Sequence, residues 1–372
     1  MKILVTGGAG FIGSHLVDAL VERGDQVRVL DNLQPQVHRG RKPGYLNPKA
    51  EYRFDDLLDS ARLTSALDGM EAVVHLAALV GVGQSMYQIG RYVEGNTLAT
   101  ARLMELLSRD GRPPALKRLV VASSMSIYGE GLYRCPTDGP AAPAMRDPEQ
   151  LDKHLWEIPC PKCRRPLAPV PTPEDKPLQP ASVYAVSKKD QEELSLLVGQ
   201  AYGFPVAALR FFDVYGPRQS LSNPYTGACA IFLARIRNGK TPILYEDGEQ
   251  TRDFIHVSDV VRAIVLALGH PSVVGQALNV GTGAASSIRQ VAEALAQAYG
   301  SSLTPKVAGR YRAGDIRHCF ADISRLAACG FQPKVSLKEG LADLVRWGAT
   351  AEAEDLFEIA ERELAERNLL GD

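Results

Sequence analysis

Short apolar runs alternate with amphipathic stretches through the first half of the chain. The apolar runs predict β-strands at residues 3–6, 27–30, 72–76, 118–123 and 206–212. The stretches between them space their apolar positions as helices do and predict helices at residues 13–23, 96–109 and 183–202. Strands that are almost wholly apolar are typical of a parallel sheet covered by helices on both faces. The pattern therefore predicts a doubly wound parallel α/β sheet.

Two regions break this alternation. Residues 130–170 contain many prolines and two closely spaced cysteines, and they predict an inserted loop module. Residues 352–370 are rich in Ala, Glu and Leu, with a weak apolar stripe at Leu356, Ile359 and Leu364. This stripe predicts a terminal helix that packs on the protein or faces a second copy.

Composition excludes several classes of protein. The chain has 372 residues, of which 45% are hydrophobic and 23% charged, as in ordinary globular proteins rather than disordered or fibrous ones. Lys and Arg number 42 and Asp and Glu 43, so there is no basic excess for binding nucleic-acid phosphates. No apolar run reaches the length of about 18 residues expected of a membrane span. The first predicted strand follows the initiator Met directly, and we therefore expect no signal peptide and a cytoplasmic protein.

A glycine-rich segment follows the first predicted strand. Gly7, Gly10 and Gly13 stand between that strand and a helix. Such glycines allow a tight turn, a close approach of backbone N–H groups to a pyrophosphate, and close helix–strand packing. In this position the triplet predicts a dinucleotide site of the Rossmann type, to which we also assign Phe11 and Ile12.

An acidic residue ends the second predicted strand. Asp31 lies eighteen positions beyond Gly13, where a carboxylate accepts hydrogen bonds from the adenosine ribose and repels a 2′-phosphate. It therefore favours NAD over NADP. The same cofactor site is predicted to include Asn32, Asp56, Leu57, Leu76, Ala77 and Ala78.

A tyrosine and a lysine stand four positions apart in the predicted helix at residues 183–202. Tyr184 and Lys188 therefore share one helix face. A phenol has a pKa near 10, but an adjacent ammonium and a positive nicotinamide ring both favour the phenolate, so Tyr184 can act as a base. Ser124, at the end of the strand at residues 118–123, supplies a hydroxyl where ligands collect in such sheets.

The ordered set of motifs resembles the extended short-chain dehydrogenases/reductases of the nucleotide-sugar epimerase and dehydratase type. The similarity covers roughly residues 1–348. It rests on the glycine segment, on Asp31, and on residues 124–129, 184–188, 209–218, 252–257 and 312–315. Motifs in this number and order make the resemblance specific.

This resemblance implies an architecture and a set of site residues. It implies an NAD-binding domain at residues 1–215 with an insertion at about 130–170, an interleaved, smaller α/β nucleotide-sugar domain at 216–348, and a helical tail at 349–372. It implies catalysis by Ser124, Tyr184 and Lys188, and it assigns Tyr184 and Lys188 to the cofactor site as well. It places Asn96 and Phe212 near the nicotinamide. It assigns to the substrate Ser124, Asp213, Tyr245, Arg252, Arg312 and Asp315, with the two arginines on the diphosphate. It also implies a homodimer formed through the helices at residues 96–109 and 183–202.

One position departs from the family pattern, which commonly has Asn where this chain has Asp213. A carboxylate beside a diphosphate is repelled unless it is protonated or turned away. Its role as a substrate contact is therefore left open.

The residues after Ser124 bear on the type of reaction. Met125 and Ser126 stand where related dehydratases and decarboxylases have acidic residues, and neither can perform that acid–base chemistry. Asp31 argues against a reductase that uses NADPH. The remaining expectation is a 4-epimerase, in which transient oxidation at C4 is followed by rotation of the 4-keto sugar and re-reduction. A 4,6-dehydratase, a 4-ketoreductase and a non-catalytic NAD-sensing protein are the further alternatives.

The substrate is predicted from resemblance alone. The loop at residues 220–227 and the cysteine insert resemble the subgroup of dTDP-L-rhamnose 4-epimerases, which implies a dTDP-6-deoxyhexose. UDP-hexose 4-epimerases are the alternative.

The insert also predicts a structural zinc site. Cys160 and Cys163 have the two-residue spacing of a zinc knuckle, and Asp138 follows Cys135 at the same spacing. His154 is the alternative fourth ligand, and a metal-free loop is the alternative to a site. The remaining cysteines are expected to be buried small hydrophobes, and His75 and His256 to be structural.

Overall fold

A seven-stranded parallel sheet forms the centre of the computed structural model, which describes residues 1–109 and 116–371. Its spatial order is β7-β6-β5-β4-β1-β2-β3. The strands are β1 (Lys2–Thr6), β2 (Gln26–Leu30), β3 (Glu51–Arg53), β4 (Ala72–His75), β5 (Arg118–Ser124), β6 (Val206–Phe211) and β7 (Ala277–Val280). The predicted doubly wound sheet is confirmed, and the five predicted strands agree with it to within one residue at each end.

Helices cover both faces of the sheet. They are α1 (Phe11–Glu22), α2 (Ser60–Leu67), α3 (Ala99–Ser108), α4 (Val183–Tyr202), α5 (Ala228–Arg237), α6 (Val257–Gly269), α7 (Ile288–Tyr299), α8 (Leu337–Gly348) and α9 (Phe357–Ala365). A π-helical turn, Val93–Leu98, leads into α3. Shorter helical turns are Pro35–His38, Val82–Ser85, Ile89–Tyr92, Met125–Tyr128, Pro148–Asp152, Pro271–Val273 and Ser324–Ala328. None of the helices described here is both long enough and apolar enough to cross a lipid bilayer.

Alternate residues of the strands enter two separate cores. Ile3 and Val5 of β1 pack with α1 and α6 on one face of the sheet. Leu4, between them, packs with α2 and α3 on the other face. Period-two alternation therefore makes both faces of β1 apolar, as the sequence pattern required.

The strands outside the central sheet form several small sheets. Asp213–Tyr215 pairs in parallel with Phe254–His256, and Ile243–Leu244 with Lys306–Val307. Thr251–Arg252 lies between Ser286–Ser287 and His318–Cys319. A third core, formed largely by α5, α7 and α8, supports these strands. Because β7 returns from this region to the central sheet, the two parts of the chain are interleaved.

The insert is a small antiparallel module. Leu132–Cys135 forms its central strand and pairs with Gly139–Ala141 on one side and Ala168–Val170 on the other. Tyr133, Ile158 and Leu167 belong to a core of its own. The predicted loop module thus has a regular framework.

The tail differs from the predicted helix. Helix α9 is nine residues long, and Leu370–Gly371 then forms a strand antiparallel to Tyr311–Arg312. The predicted stripe is not continuous, since Leu364 is 4% exposed but Ile359 is 52% exposed. The predicted terminal helix is therefore present and packed through Leu364, but it is shorter than residues 352–370, because strand pairing takes up Leu370–Gly371. Residue 372, the end of the predicted tail, lies outside the described residues.

Candidate active site

A cleft of about 600 Å³ opens at the carboxyl ends of the central strands. Its floor includes Ser124 and Phe211, which end β5 and β6, and Gly7 and Leu76, which directly follow β1 and β4. Strand order reverses between β1 and β4, and such a reversal leaves a crevice because the crossovers on its two sides run in opposite directions. The cleft is therefore where this fold places ligands.

The glycine segment forms a backbone cradle at one end of the cleft. Gly7 has a φ of +71°, and a Cβ on Gly13 would lie 2.2 Å from the Gly7 carbonyl oxygen. Gly10 precedes α1 and caps it without a side-chain hydrogen bond. The first N–H groups of α1 thus remain available for a phosphate, together with the positive end of the helix dipole. This cradle, which any Cβ would fill, fits the pyrophosphate of NAD.

Asp31 both builds this cradle and faces the ligand. One oxygen accepts a hydrogen bond from Ala9 N–H at 3.0 Å, and the other accepts one from Leu33 N–H at 2.9 Å. The carboxylate still lines the cleft, where its free lone pairs can accept ribose hydroxyls. The arrangement fits an adenosine ribose without a 2′-phosphate.

Sequence reasoning missed a neighbour of Asp31. His38, at the end of the helical turn Pro35–His38, places Nε2 4.0 Å from an Asp31 oxygen and also lines the cleft. Burial lowers the pKa of His38, and the Asp31 carboxylate partly offsets that effect. A four-residue turn in a polar loop has no apolar period, so no pattern in the sequence could have placed His38 here.

Two of the predicted cofactor residues lie outside the cleft wall. Asp56 is exposed and accepts a hydrogen bond from Asn32 at 2.8 Å, whereas its neighbour Asp55 lines the cleft. Asn96 is fully buried behind the site, and its side chain bonds both backbone groups of Leu79. Lining residues from the prediction are Gly7, Gly10, Phe11, Ile12, Gly13, Asp31, Asn32, Leu57, Leu76, Ala77, Ala78, Tyr184, Lys188 and Phe212.

Hydrogen bonds at the start of α4 position Tyr184. Ser182 caps the helix by accepting from Ala185 N–H, and Ser85 accepts from Tyr184 N–H at 2.9 Å. Burial raises the pKa of Tyr184, and a hydrogen bond with Ser124 lowers it. The Ser124 hydroxyl in turn accepts from the Ser126 hydroxyl at 2.9 Å. The structure therefore brings the predicted Ser and Tyr hydroxyls together in the cleft.

Lys188 lies one helical turn beyond Tyr184 and is 4% exposed. Its Nζ donates to the Ala122 carbonyl at 2.5 Å and to Gln191 Oε1 at 2.7 Å. Burial lowers the pKa of Lys188 to about 7, and Glu192 opposes this shift. Burial therefore works against the ammonium form that was predicted to favour the Tyr184 phenolate.

His75 supports the lysine end of the site as a neutral residue. Its ring bonds Thr6 Oγ1 at 2.7 Å and Thr100 Oγ1 at 3.0 Å, and burial lowers its pKa to about 3. The predicted structural role is confirmed by these contacts. His256 likewise caps α6 by accepting from Ser258 N–H.

The unusual Asp213 has a carboxylate oxygen that the described part of the fold leaves without a partner. Its Oδ2 is buried and has no hydrogen-bond partner among the described residues. Burial raises its pKa to about 6, Arg252 lowers it, and Asp253 raises it. With a pKa of about 6 this carboxyl is largely ionised at pH 7, so the repulsion that a diphosphate would meet here falls only as the pH drops below about 6.

Two arginines face the far end of the cleft. Arg252 donates to the carbonyl oxygens of Ile316 at 2.6 Å and Arg317 at 3.0 Å, which leaves little of its guanidinium free. Arg312 donates from Nε to Asp315 at 2.8 Å and lies 4.8 Å from the centroid of the Tyr245 ring. Its remaining N–H groups can donate to phosphate oxygens.

The tail closes this end of the cleft. Ala360, Glu361 and Leu364 of α9 line it, and Glu361 forms an ion pair with Arg310 at 2.7 Å. Glu363 accepts hydrogen bonds from the hydroxyls of Tyr87 and Tyr225. Sequence reasoning missed these contacts, because the apolar stripe of the tail indicated only that one face is covered.

Comparison with known proteins agrees with this geometry. The model of the NAD dependent epimerase/dehydratase family matches residues 3–150 and 162–281. A dTDP-L-rhamnose 4-epimerase of Burkholderia thailandensis is 37% identical over 93% of this chain and 94% of its own length. A putative UDP-glucose 4-epimerase of Methanocaldococcus jannaschii is 31% identical over 93% of this chain and 97% of its own.

Solved structures of nucleotide-sugar 4-epimerases share the fold of this chain. UDP-glucose 4-epimerase of Thermotoga maritima, solved with UDP-glucose, has a TM-score of 0.75 and 30% identity, covering 93% of this chain and 98% of that one. UDP-glucuronic acid 4-epimerase of Bacillus cereus, in complex with UDP-glucuronic acid and NAD, has a TM-score of 0.76 and 28% identity, covering 94% and 99%.

Proposed function

This chain belongs to the NAD-dependent epimerase/dehydratase family, and we propose that its substrate is a dTDP-6-deoxyhexose such as dTDP-L-rhamnose. The reaction is that of a nucleotide-sugar 4-epimerase. The observation that carries the reaction is the hydrogen-bonded pair Ser124–Tyr184 in a cleft whose other end is the glycine cradle. A base, a hydroxyl that orients the substrate and a dinucleotide site thus share one enclosure.

The side chains divide the work of moving a proton. Tyr184 removes the proton of the C4 hydroxyl and later returns it, and Ser124 donates a hydrogen bond to the same oxygen. NAD, which the glycine cradle and Asp31 would hold, would supply reversible hydride transfer at C4 with no net oxidation. Lys188, one helical turn beyond Tyr184, is held by its contacts to the Ala122 carbonyl and to Gln191. The proton to be moved is therefore assigned to the Tyr184 oxygen, beside the Ser124 hydroxyl.

The walls of the cleft favour epimerisation over elimination. Met125 and Ser126 line it directly after Ser124. Among the described lining residues, the carboxylates are Asp31, Asp55, Asp213, Asp315 and Glu361, and none of them comes from this strand end. Elimination of water needs an acid and a base at the sugar carbons beyond C4, and this segment offers neither.

Similarity supports the choice of a 6-deoxy sugar. The relative at 37% identity is a dTDP-L-rhamnose 4-epimerase, and it aligns along almost the whole chain. UDP-hexoses are the second candidate, because the UDP-glucose 4-epimerase structure has the same fold over almost the whole chain.

A substrate panel tests this assignment. We expect kcat/KM for dTDP-L-rhamnose to exceed that for UDP-glucose and UDP-galactose by at least about tenfold, the effect of roughly 1.4 kcal/mol of transition-state binding. Product ratios are measured by ion-pair chromatography after incubation with each sugar. A preference for either UDP-hexose would overturn the dTDP-6-deoxyhexose proposal. Absence of C4 hydrogen exchange with every sugar would instead indicate a protein that only senses NAD.

We also infer that two copies pair through α3 and α4. Val186 and Leu197 lie on one face of α4 and are 44% and 62% exposed. Leu98, at the start of α3, is 41% exposed, and Thr97 beside it donates to Asp190 of α4 at 2.8 Å. Three exposed apolar side chains on adjoining helices form a surface that a second copy of the same surface would cover in a twofold dimer.

Light scattering after size exclusion tests the dimer. We expect the mass of a dimer for the unaltered protein and of a monomer for Val186→Glu/Leu197→Glu, since four charges would then enter one interface. The control is Val307→Glu, which replaces an exposed valine of the strand Lys306–Val307, away from helices α3 and α4. This variant should remain dimeric. A monomeric unaltered protein would contradict the inference.

A further inference from the structure

The insert contains two turns with the same design. One reads Cys135-Pro136-Thr137-Asp138-Gly139, and the other reads Cys160-Pro161-Lys162-Cys163-Arg164. Each ends on a residue with positive φ, +83° at Gly139 and +62° at Arg164. Only Gly adopts this conformation without cost, so the arginine is held there by its surroundings. The turn at Cys160 is closed by backbone hydrogen bonds from Arg164 N–H to Cys160 O at 2.9 Å and from Cys160 N–H to Arg165 O at 2.7 Å.

The two turns bring four ligand atoms to one point. Cys135 Sγ lies 3.4 Å from Cys163 Sγ and 3.4 Å from Asp138 Oδ2, and Cys160 Sγ lies 3.3 Å from the same oxygen. All four atoms fall within 4.8 Å of one another. Zn–S bonds of about 2.3 Å and a Zn–O bond of about 2.0 Å separate the corners of a tetrahedron by about 3.5–3.8 Å. The cluster therefore has nearly the dimensions of a tetrahedral site.

We propose that Cys135, Asp138, Cys160 and Cys163 bind one structural Zn²⁺. Four protein ligands close a tetrahedral site and leave no position for a reactive water. His154, the alternative fourth ligand, stacks on Trp156 at a ring-centroid distance of 5.1 Å and does not belong to the group.

The charges around the site suit this ion. Three thiolates and one carboxylate around Zn²⁺ leave a net charge of about −2. Lys162, Arg164 and Arg165 lie in or next to the second turn, and the Lys162 ammonium helps to lower the pKa of Asp138. A disulfide is the competing chemistry, but a sulfur–sulfur bond is about 2.05 Å long, well below the separation found between Cys135 and Cys163.

A metal explains how so small a module stays ordered. Its own core holds few residues, and its single helix, Pro148–Asp152, has five. Modules of this size commonly need a metal or disulfides because they bury too little apolar surface. The family model leaves residues 151–161 unmatched, so Cys160 falls outside the part of the chain that this family shares.

The ordered insert in turn supports the substrate end of the cleft. Arg146 bonds Glu246 at 2.8 Å and the Asp315 carbonyl at 3.1 Å, and Glu157 bonds Arg317 at 2.6 Å. Asp315 is the partner of Arg312. The zinc would therefore act through the scaffold, holding the insert against the region that carries the diphosphate arginine.

Metal analysis of the purified protein tests the proposal. We expect about one zinc per chain in protein prepared without chelator, and little zinc in Cys163→Ser, because losing one thiolate opens the coordination sphere. Cys329→Ser, at a half-exposed thiol outside the insert, is the control and should keep its zinc. Unaltered protein with almost no zinc, or equal loss in both variants, would overturn the site.

A second measurement covers variants that fold poorly. Apoprotein of the unaltered sequence, titrated with Co²⁺, should develop the visible absorption of a tetrahedral thiolate site, and Asp138→Cys should strengthen it by adding a fourth sulfur. A featureless titration, or mass spectrometry showing a Cys135–Cys163 disulfide in freshly isolated protein, would contradict zinc binding.

Discussion

Tyr184→Phe should lower kcat by about 10³-fold, since the variant retains the ring but loses the phenolic oxygen that is hydrogen-bonded with Ser124 and is proposed to accept the proton. The Tyr92 ring packs edge-on against Tyr184 at 6.4 Å, and this contact survives the substitution. NAD content should not change, because the glycine cradle and Asp31 lie elsewhere in the cleft. Steady-state rates and the amount of NAD released on denaturation are the measurements.

An exposed tyrosine provides the matched control. Tyr299 ends α7 and is 38% exposed, and Tyr299→Phe should leave kcat unchanged. If Tyr184→Phe epimerised at nearly the unaltered rate, another group would have to accept the proton and the assignment of Tyr184 would be wrong.

Asp213→Asn should stabilise the protein in a pH-dependent way. Burial raises the pKa of Asp213 from 3.8 to about 6, so the folded protein binds this proton more tightly than the unfolded chain does. The stability associated with the protonated carboxyl is complete below about pH 4 and is lost as the pH rises through 6. Asparagine does not ionise. The free energy of unfolding of Asp213→Asn should therefore exceed that of the unaltered protein above pH 6, by at most about 3 kcal/mol, and the difference should vanish near pH 4.

Thermal unfolding at a series of pH values measures this difference, with NAD content matched between the proteins. Asp175→Asn, at a side chain that is 73% exposed, is the control and should follow the unaltered protein at every pH. An advantage of Asp213→Asn that was constant with pH would show that packing, and not ionisation, sets its stability.

The cofactor half of the molecule could be predicted from the sequence because its signals are local. The glycine segment is constrained by its own backbone, and Gly13 has no room for a Cβ at 2.2 Å from Gly7 O. Tyr184 and Lys188 share a helix face by spacing alone, and α4 has the predicted bounds. In each case one stretch of chain contains both the residue and the reason for its position.

The remaining features depend on parts of the chain that are distant in sequence. The Lys188 pKa follows from burial against β5, which no helical pattern reports. Asp55 lines the cleft and Asp56 does not. The conformation of the loop determines which of these two neighbours faces the cleft, and the sequence pattern does not indicate it. Asn96 accepts a hydrogen bond from the backbone N–H of Leu79 on the side away from the cleft. Its position in a helical segment does not predict this partner. Resemblance identified these regions, and the three-dimensional contacts determine what each side chain does.

The pairing of Leu370–Gly371 with Tyr311–Arg312 ties the end of the chain to ligand affinity. A nucleotide sugar held by Arg312 and the docked tail would each stabilise the arrangement that the other requires. Coupling between two equilibria is reciprocal. The factor by which the docked tail would raise the affinity for the nucleotide sugar therefore equals the factor by which the bound nucleotide sugar would favour the docked tail.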